Sequence, residues 1–419
     1  MISVQDAQAM VRSACAAQPV ERAPAAQSLG RVLAEDIVSP VDLPPFDNTA
    51  MDGYALQCGG ETIANGREFA VRGEQAAGDG ESHVDGQGAW EIMTGARIPD
   101  GLDAVVPVEQ IDVLARDAEG RATRIRLTAD VAPGQHVRRA GEDIARGALA
   151  LAAGTWLDPP HLLLAAGLGI AELPLRQRPN VALLCTGREL VDDPAQPLRP
   201  GQIRNSNGPF LAARLQAAGA EVVLRETVPD DAEAFQQSLS RALSAGAQLV
   251  LSTGAVSMGR YDFVPPTLTA LGAEILFHKV AMRPGKPLLF ARLPGGQLYF
   301  GLPGNPVSSA VGLRFFVEAA LRVMLGLPEE RAWQLPLLQV TQKKLGFRMH
   351  QKARLQLGAD GRLGVELLKG QESFKTRPLL TATVWAALPA DAAELPAGSP
   401  VDIYPLGHEL GVHLGVQNP

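Results

Sequence analysis

A chain of 419 residues, 46% hydrophobic and 20% charged, belongs with globular proteins rather than disordered ones and has room for roughly two to four domains. Its 38 basic and 45 acidic residues give a formal charge of −7, so it lacks the basic footprint that duplex nucleic acid requires, and any anionic ligand must be held by a local gathering of cations. Its 3 cysteines, Cys15, Cys58 and Cys185, lie far apart with no C-x-x-C pair, which excludes a full disulfide framework and fits a reducing compartment.

The opening MISVQDAQAMVRSACA predicts an amphipathic helix capped by Ser3, without the cationic start or cleavage site of a signal peptide. Residues 1–51 read as helical and then Pro-rich. Residues 52–137 alternate short apolar runs with Gly and Asp-Gly turns, the texture of a small β-rich domain. Helical patterning returns over 138–178, with Pro159-Pro160 at a helix start, so this stretch is expected to pack with the N-terminal segment and leave the β-rich domain as an insertion. The most apolar run, from Leu162 to Leu175, is broken by Glu172 and Pro174 and is too short to span a bilayer. A cytoplasmic protein with no membrane or nucleic-acid partner is expected.

Over 179–327 strands alternate with helices, from VALLC to a long helix predicted between Pro306 and Leu325, which implies a parallel, three-layer α/β domain. Spaced short strands over 328–419 predict a small β-barrel or sandwich. The fold class is therefore multidomain α/β, a central three-layer domain flanked by helical and β-rich N-terminal domains and a C-terminal β domain.

In open α/β sheets ligands sit beyond the carboxyl ends of the strands. Four loops leave those ends. CTGREL carries Thr186, Gly187 and Glu189; VPDDAEAF carries Asp230 and Asp231, where Asp230 also reads as a helix N-cap. STGAVSMGRYDF carries Gly254, Ser257 and Asp262, and GLPGNPVSS carries Pro303, Asn305 and Ser308; both have the Gly/Ser character that presents N–H groups and hydroxyls to anions. KVAMRPGKP adds Lys279, Arg283 and Lys286. Glu189, Asp230 and Asp262 together would repel one another without a divalent cation, which points to Mg²⁺ on a phosphate with the basic trio neutralising a second oxyanion. A further polar cluster lies in PPFDNTAMDGYAL, EIMTGARIPDGLDAVVPVEQ and VRRAGEDIARG. No histidine has a hydrolase or zinc-protease context, and His278 reads as a packed or edge residue.

At these residues the chain resembles the molybdopterin molybdenumtransferase family, the bacterial MoeA type and the E domain of gephyrin. The motifs PPFDNTAMDGYA, MTGARIPDGLDAVV, VRRAGEDI, TGREL, GQIRNSNGPFL, STGAVSMGRYDF, KVAMRPGKP and GLPGNPVS follow in family order over residues 1–326. The resemblance implies that adenylylated molybdopterin and molybdate bind together, and that the AMP phosphoanhydride is cleaved with a divalent metal as molybdate joins the dithiolene. It implies catalytic positions at Asp52, Thr94, Asp143, Glu189, Asp230 and Asp262, the last three holding Mg²⁺. Substrate positions are Thr186, Gly187, Gly254, Ser257, Lys279, Arg283, Lys286, Pro303, Asn305 and Ser308, with Lys352 and Ser373 in the last domain. An elongated homodimer with clefts shared between subunits is implied, and the upstream adenylyltransferase and downstream molybdoenzymes as partners. The chain departs from the pattern at Ala255, where a second Gly is usual and φ > 0 would be strained, at Arg283, where some members have Lys, and at Lys352, near where Arg is often found. The other readings are a pterin adenylyltransferase, which shares the α/β architecture, and a non-enzymatic scaffold.

Overall fold

The run from Val181 to Cys185 has no polar face to give to water, and the chain buries it on both sides within a six-stranded sheet. In the computed structural model, which describes residues 1–84, 87–256, 263–358 and 361–411, that sheet runs Glu221–Val228, Asn180–Thr186, Leu249–Thr253, Leu298–Leu302, Leu289–Arg292, Glu274–His278. Successive side chains point to opposite faces. Val181, Leu183, Leu251 and Phe300 join one core layer, with the helices Asn207–Ala217 and Glu318–Met324, while Ala182, Leu184, Val250 and Tyr299 join the other, with Ala232–Ser244 and Val264–Ala270.

The first four strands are parallel, but Leu289–Arg292 runs antiparallel to both neighbours, which corrects the expected all-parallel sheet. The connection from Arg292 to Leu298 has no room for a crossover helix, so the chain can only fold straight back. The long helix expected after Pro306 is present as Pro306–Gly312 and Glu318–Met324 joined through a π-helical turn, Leu313–Val317, which turns Arg314 into the interior.

A second six-stranded sheet contains Met282–Arg283, Arg348–Leu357, Val384–Leu388, Pro400–Pro405 and Trp333–Pro336 in that order, with Leu363–Leu367 also paired to Arg348–Leu357. Its first strand comes from the middle of the chain: Met282 and Arg283 run parallel to Arg348 and Met349. A third, Ala104–Pro107, Gly53–Leu56, Ala89–Ile92, Glu68–Gln75, Ala122–Leu127, Ile111–Arg116, surrounds its own core.

The N-terminal segment and 138–178 are less helical than their texture predicts. Val4–Ala14, capped by Ser3, and Pro159–Gly167 are helices, but the rest makes short ladders: Val20–Pro24 with Glu172–Arg176, Ile37–Val38 with Leu149–Leu151, Asn48–Thr49 with Val137–Arg138. Strands of two to five residues are too short to display a period of two. By their contacts the residues divide into two compact units, one of Met1–Glu35, Ala153–Asp158 and Leu173–Pro419, the other of Asp36–Ala152 and Pro159–Glu172. Among the described residues no helix is long and apolar enough to cross a membrane.

Candidate functional site at the strand ends

In the larger unit the carboxyl ends of the four parallel strands finish level, with Thr186 opposite Val228 and Cys185, Thr253 and Leu302 in one register. Buried Thr186 donates from Oγ1 to Thr253 O at 2.9 Å. Gly187 N donates to Val228 O and Gly254 N to Leu302 O, each at 3.0 Å, so both loops leave the sheet fastened to a neighbouring strand. At Gly254, φ is 91° and a Cβ would stand 2.7 Å from Thr186 Oγ1; only glycine permits that approach. Ala255 follows at φ 51°, so the strain expected of a non-glycine residue here is present.

Glu189 folds back over the first loop, its carboxylate oxygens standing 2.8 and 2.9 Å from where a Cβ on Gly187 would be. Asp230 lies on the adjacent strand end and accepts from Arg188 N at 3.3 Å. The helix Ala232–Ser244 is capped by Asp231, which accepts from Ala234 N at 2.8 Å, so the N-cap reading of Asp230 drops out. In the last loop Ser309 Oγ donates to Pro303 O, and Asn207 Nδ2 donates to Gly304 O at 2.8 Å. Asn305 holds the cap position before Pro306 but makes no side-chain cap bond. Ser257 and Asp262 lie outside the described residues. Among the described residues no group of three His, Cys, Asp or Glu side chains could hold a metal ion.

Arg283, Lys286, Ser308 and Ser373 meet in one cleft of about 370 Å³, whose lining includes no carboxylate. Ser308 is buried in the first turn of its helix, and Ser373 is drawn to it because Val307 N donates to Ser373 O at 3.0 Å. Lys279 is not among the residues lining this cleft. The chain leaves the central sheet at Lys279, whose φ is 74°. Lys279 N donates to Leu288 O at 2.9 Å and Lys279 O accepts from Ile2 N at 3.2 Å, and those bonds hold the left-handed turn that sends Met282–Arg283 into the other sheet.

Lys352 requires a correction as well. Its side chain is fully buried (0% exposed), and its ammonium donates to Gly370 O at 2.7 Å and Lys375 O at 2.9 Å. Burial lowers its pKa, and the cation is occupied in tying together the two ends of the loop that carries Ser373, rather than being presented to a ligand. Gln371 completes the clamp, accepting from Lys352 N at 3.0 Å and donating to Lys352 O at 2.8 Å. His278 is half-buried with Nε2 2.7 Å from Val256 O, a packed edge residue as expected.

In the smaller unit, Thr94 N and Oγ1 both donate to Asp52 Oδ1, at 2.6 and 2.7 Å, and these bonds hold the Asp52 carboxyl below the usual carboxylate range. Gly53 is required next to it, since a Cβ there would lie 1.9 Å from Val106 O. Asp143 is exposed, on a turn held by Asp143 N donating to Leu43 O at 3.0 Å.

Sequence reasoning did not single out Asn205, which donates to Asp192 Oδ1 at 3.0 Å and Thr227 Oγ1 at 2.9 Å while accepting from Gly208 N at 2.9 Å. Two asparagines directly before an apolar helix were the available signal. Gln371 left none.

Two family descriptions match the sequence, "MoeA N-terminal region (domain I and II)" over residues 2–169 and "Probable molybdopterin binding domain" over residues 182–323. The chain is 40% identical over 390 residues to the molybdopterin molybdenumtransferase of Synechococcus elongatus, covering 92% of this chain and 94% of that protein. It is 36% identical over 418 residues to molybdopterin molybdenumtransferase 2 of Mycobacterium tuberculosis, covering 97% of this chain and 100% of that one. The crystal structure of a molybdopterin biosynthesis moeA protein from Pyrococcus horikoshii superposes with a TM-score of 0.79 at 28% identity, over 96% of this chain and 99% of that one.

Proposed function

The chain belongs to the MoeA-type family of molybdopterin molybdenumtransferases, and we propose from that premise that it inserts molybdate into adenylylated molybdopterin and releases AMP. It is a transferase of molybdenum cofactor biosynthesis. The observation that carries the finer reading is the cleft where Arg283, Lys286, Ser308 and Ser373 converge without a carboxylate. Two cations and two hydroxyls, with no competing negative charge, suit a tetrahedral dianion. The strand-end loops at Gly187, Gly254 and Pro303 offer the phosphoanhydride its cradle, with Thr186 and Asn305 beside them and Ser257 in the same loop sequence.

A hard divalent cation takes oxygen ligands and shares them readily with substrate phosphates. Glu189 and Asp230, on adjacent strand ends and with Asp231 rather than Asp230 capping the helix, fit Mg²⁺, and Asp262 is assigned as the third carboxylate. When bound, the ion would neutralise charge on the phosphoanhydride. Asp52, oriented by Thr94, and Asp143 are assigned to the same reaction. The partition that goes with this reading is 1–51 plus 138–178, 52–137, 179–327 and 328–419; a separate six-stranded sheet centred in each of the last three supports it. The family-wide match also favours the transferase over an adenylyltransferase, because it includes the N-terminal region.

Measuring AMP release from adenylylated molybdopterin with and without molybdate tests the reading, and molybdate-dependent release is the expected result. In Arg283→Ala the half-saturating molybdate concentration is expected to rise roughly tenfold or more, as the loss of a charge-assisted contact worth about 1.5–3 kcal/mol requires. Arg283→Lys should recover part of it, since a point charge cannot replace a two-pronged contact. A parental response in Arg283→Ala would move the oxyanion out of this cleft.

The protein is further read as a cytoplasmic homodimer whose sites combine the Asp52 motif of one subunit with the strand-end loops of the other. Mixed dimers of an Asp52→Ala chain and an Asp262→Ala chain should then regain activity, because one of their two sites is intact. Verified heterodimers without activity would place both residues in one subunit's site.

A further inference from the structure

Most of the arginines that approach a carboxylate in this chain are directly ion-paired, as Arg241 is to Glu226 at 2.7 Å and Arg348 to Asp402 at 2.5 Å. Several cations have no such partner, and three of them stand together. Arg283, Lys286 and Lys344 have no carboxylate partner among the described residues, yet all three gather on one aromatic ring, 4.9, 5.9 and 5.8 Å from the centroid of Phe347. In a chain of formal charge −7, three cations without a carboxylate around a single ring are a local concentration of positive charge.

The gathering is built into the backbone. Phe347 directly precedes Arg348, which is in register with Met282, so the strand pairing sets the ring beside the Arg283 turn. Lys344 arrives from a loop fastened at both ends, Lys343 N donating to Ala393 O and Gly346 N to Ala390 O, each at 2.8 Å. Inside that loop Lys343 Nζ donates to Phe347 O at 3.2 Å, so the fourth cation is spent on holding the ring's own backbone in place. The face of the ring attracts each cation, which keeps three like charges from spreading into solvent. Two of the three, Arg283 and Lys286, also line the cleft that receives the oxyanion in the reading above.

We propose that Phe347 and Lys344 form the outer anion-binding station of this cleft, collecting a tetrahedral dianion before Arg283 and Lys286 pass it inward. The station rests on the assignment of that cleft to molybdate, and it adds two residues that precede the cleft-lining stretch from Met349 to Gln351. Its chemistry is electrostatic capture, so it acts on how readily a divalent oxyanion enters and is sensitive to salt, while leaving the reaction of the filled site unchanged.

The test measures AMP release against molybdate concentration in Lys344→Gln and Phe347→Leu, at low and at high ionic strength, with sulfate as a competing dianion. At low ionic strength the half-saturating molybdate concentration is expected to rise about threefold to tenfold in both variants, and the difference from the parent should vanish at high salt. The maximal rate at saturating molybdate should stay at the parental value, and sulfate should compete less well in Lys344→Gln than in the parent. A parental molybdate response in Lys344→Gln at low salt, or a loss of the same size at every salt concentration, overturns the station. Arg283→Ala, run in parallel, keeps the two claims apart. If Arg283→Ala responds to molybdate like the parent, the assignment of the cleft itself has failed; if it weakens molybdate use while Lys344→Gln does not, only the outer station is lost.

Discussion

Glu318→Ala is expected to lower the unfolding free energy by about 3–5 kcal/mol, the usual cost of stranding buried charge. Glu318 is fully buried at 0% exposure, on the first turn of the helix that follows the π-helical segment. Its carboxylate accepts from Arg214 Nη2 at 3.1 Å and from His408 N at 2.9 Å, and lies 3.5 Å from Arg314 Nη1. Arg314 is almost wholly buried too, donating to Glu330 and, from Nε at 2.9 Å, to Pro405 O. Removing Glu318 leaves two guanidiniums, one almost wholly buried and one mostly so, and one main-chain N–H short of a partner. Glu330 and Glu409 still face the arginines, so the loss is bounded and the fold survives. Urea unfolding of Glu318→Ala and Glu318→Gln against the parent reads this directly. The amide keeps the acceptor and loses the charge, and should fall between the other two. An alanine variant within about 0.5 kcal/mol of the parent, the range of an ordinary surface substitution, would show that the network contributes no stability.

The central strands are uniform apolar runs with glycine-marked ends, and their texture alone is enough to place Thr186, Gly254 and Pro303 at one sheet edge. The switch of Leu289–Arg292 to antiparallel depends on the length of a single turn, which periodicity does not report. Nor does periodicity report the two-residue strand Met282–Arg283, whose partner lies more than sixty positions away at Arg348. That pairing turns Arg283 away from the central sheet and towards Ser373, so the residues of the cleft were legible one by one while their convergence was hidden in long-range pairing. Lys352 shows the limit from the other side. A lysine near where the family often has an arginine invites a ligand contact, but burial against two carbonyls converts the same charge into a loop clamp. The family resemblance named the residue; only its surroundings determine what the ammonium does.

Asp230→Asn is expected to reduce AMP release by about 100-fold or more, the scale on which a single preorganised electrostatic contact to a reacting group operates. The structure separates this residue from its neighbour in a way that makes the experiment sharp. Asp231 is the N-cap, and Asp231→Ala should therefore cost about 0.5–2 kcal/mol of stability while leaving the maximal rate near that of the parent. Asp230 contributes only a 3.3 Å contact from Arg188 N to the fold, so its amide variant should unfold at the parental urea concentration. Asparagine keeps the size and one acceptor oxygen but removes the charge that a divalent cation or a phosphoanhydride would sense. Two adjacent aspartates should thus give opposite signatures, one in stability and the other in rate. If Asp230→Asn releases AMP at the parental rate, Asp230 leaves the reaction, and the charge balance at the strand ends would have to be met by Glu189 and Asp262 without it.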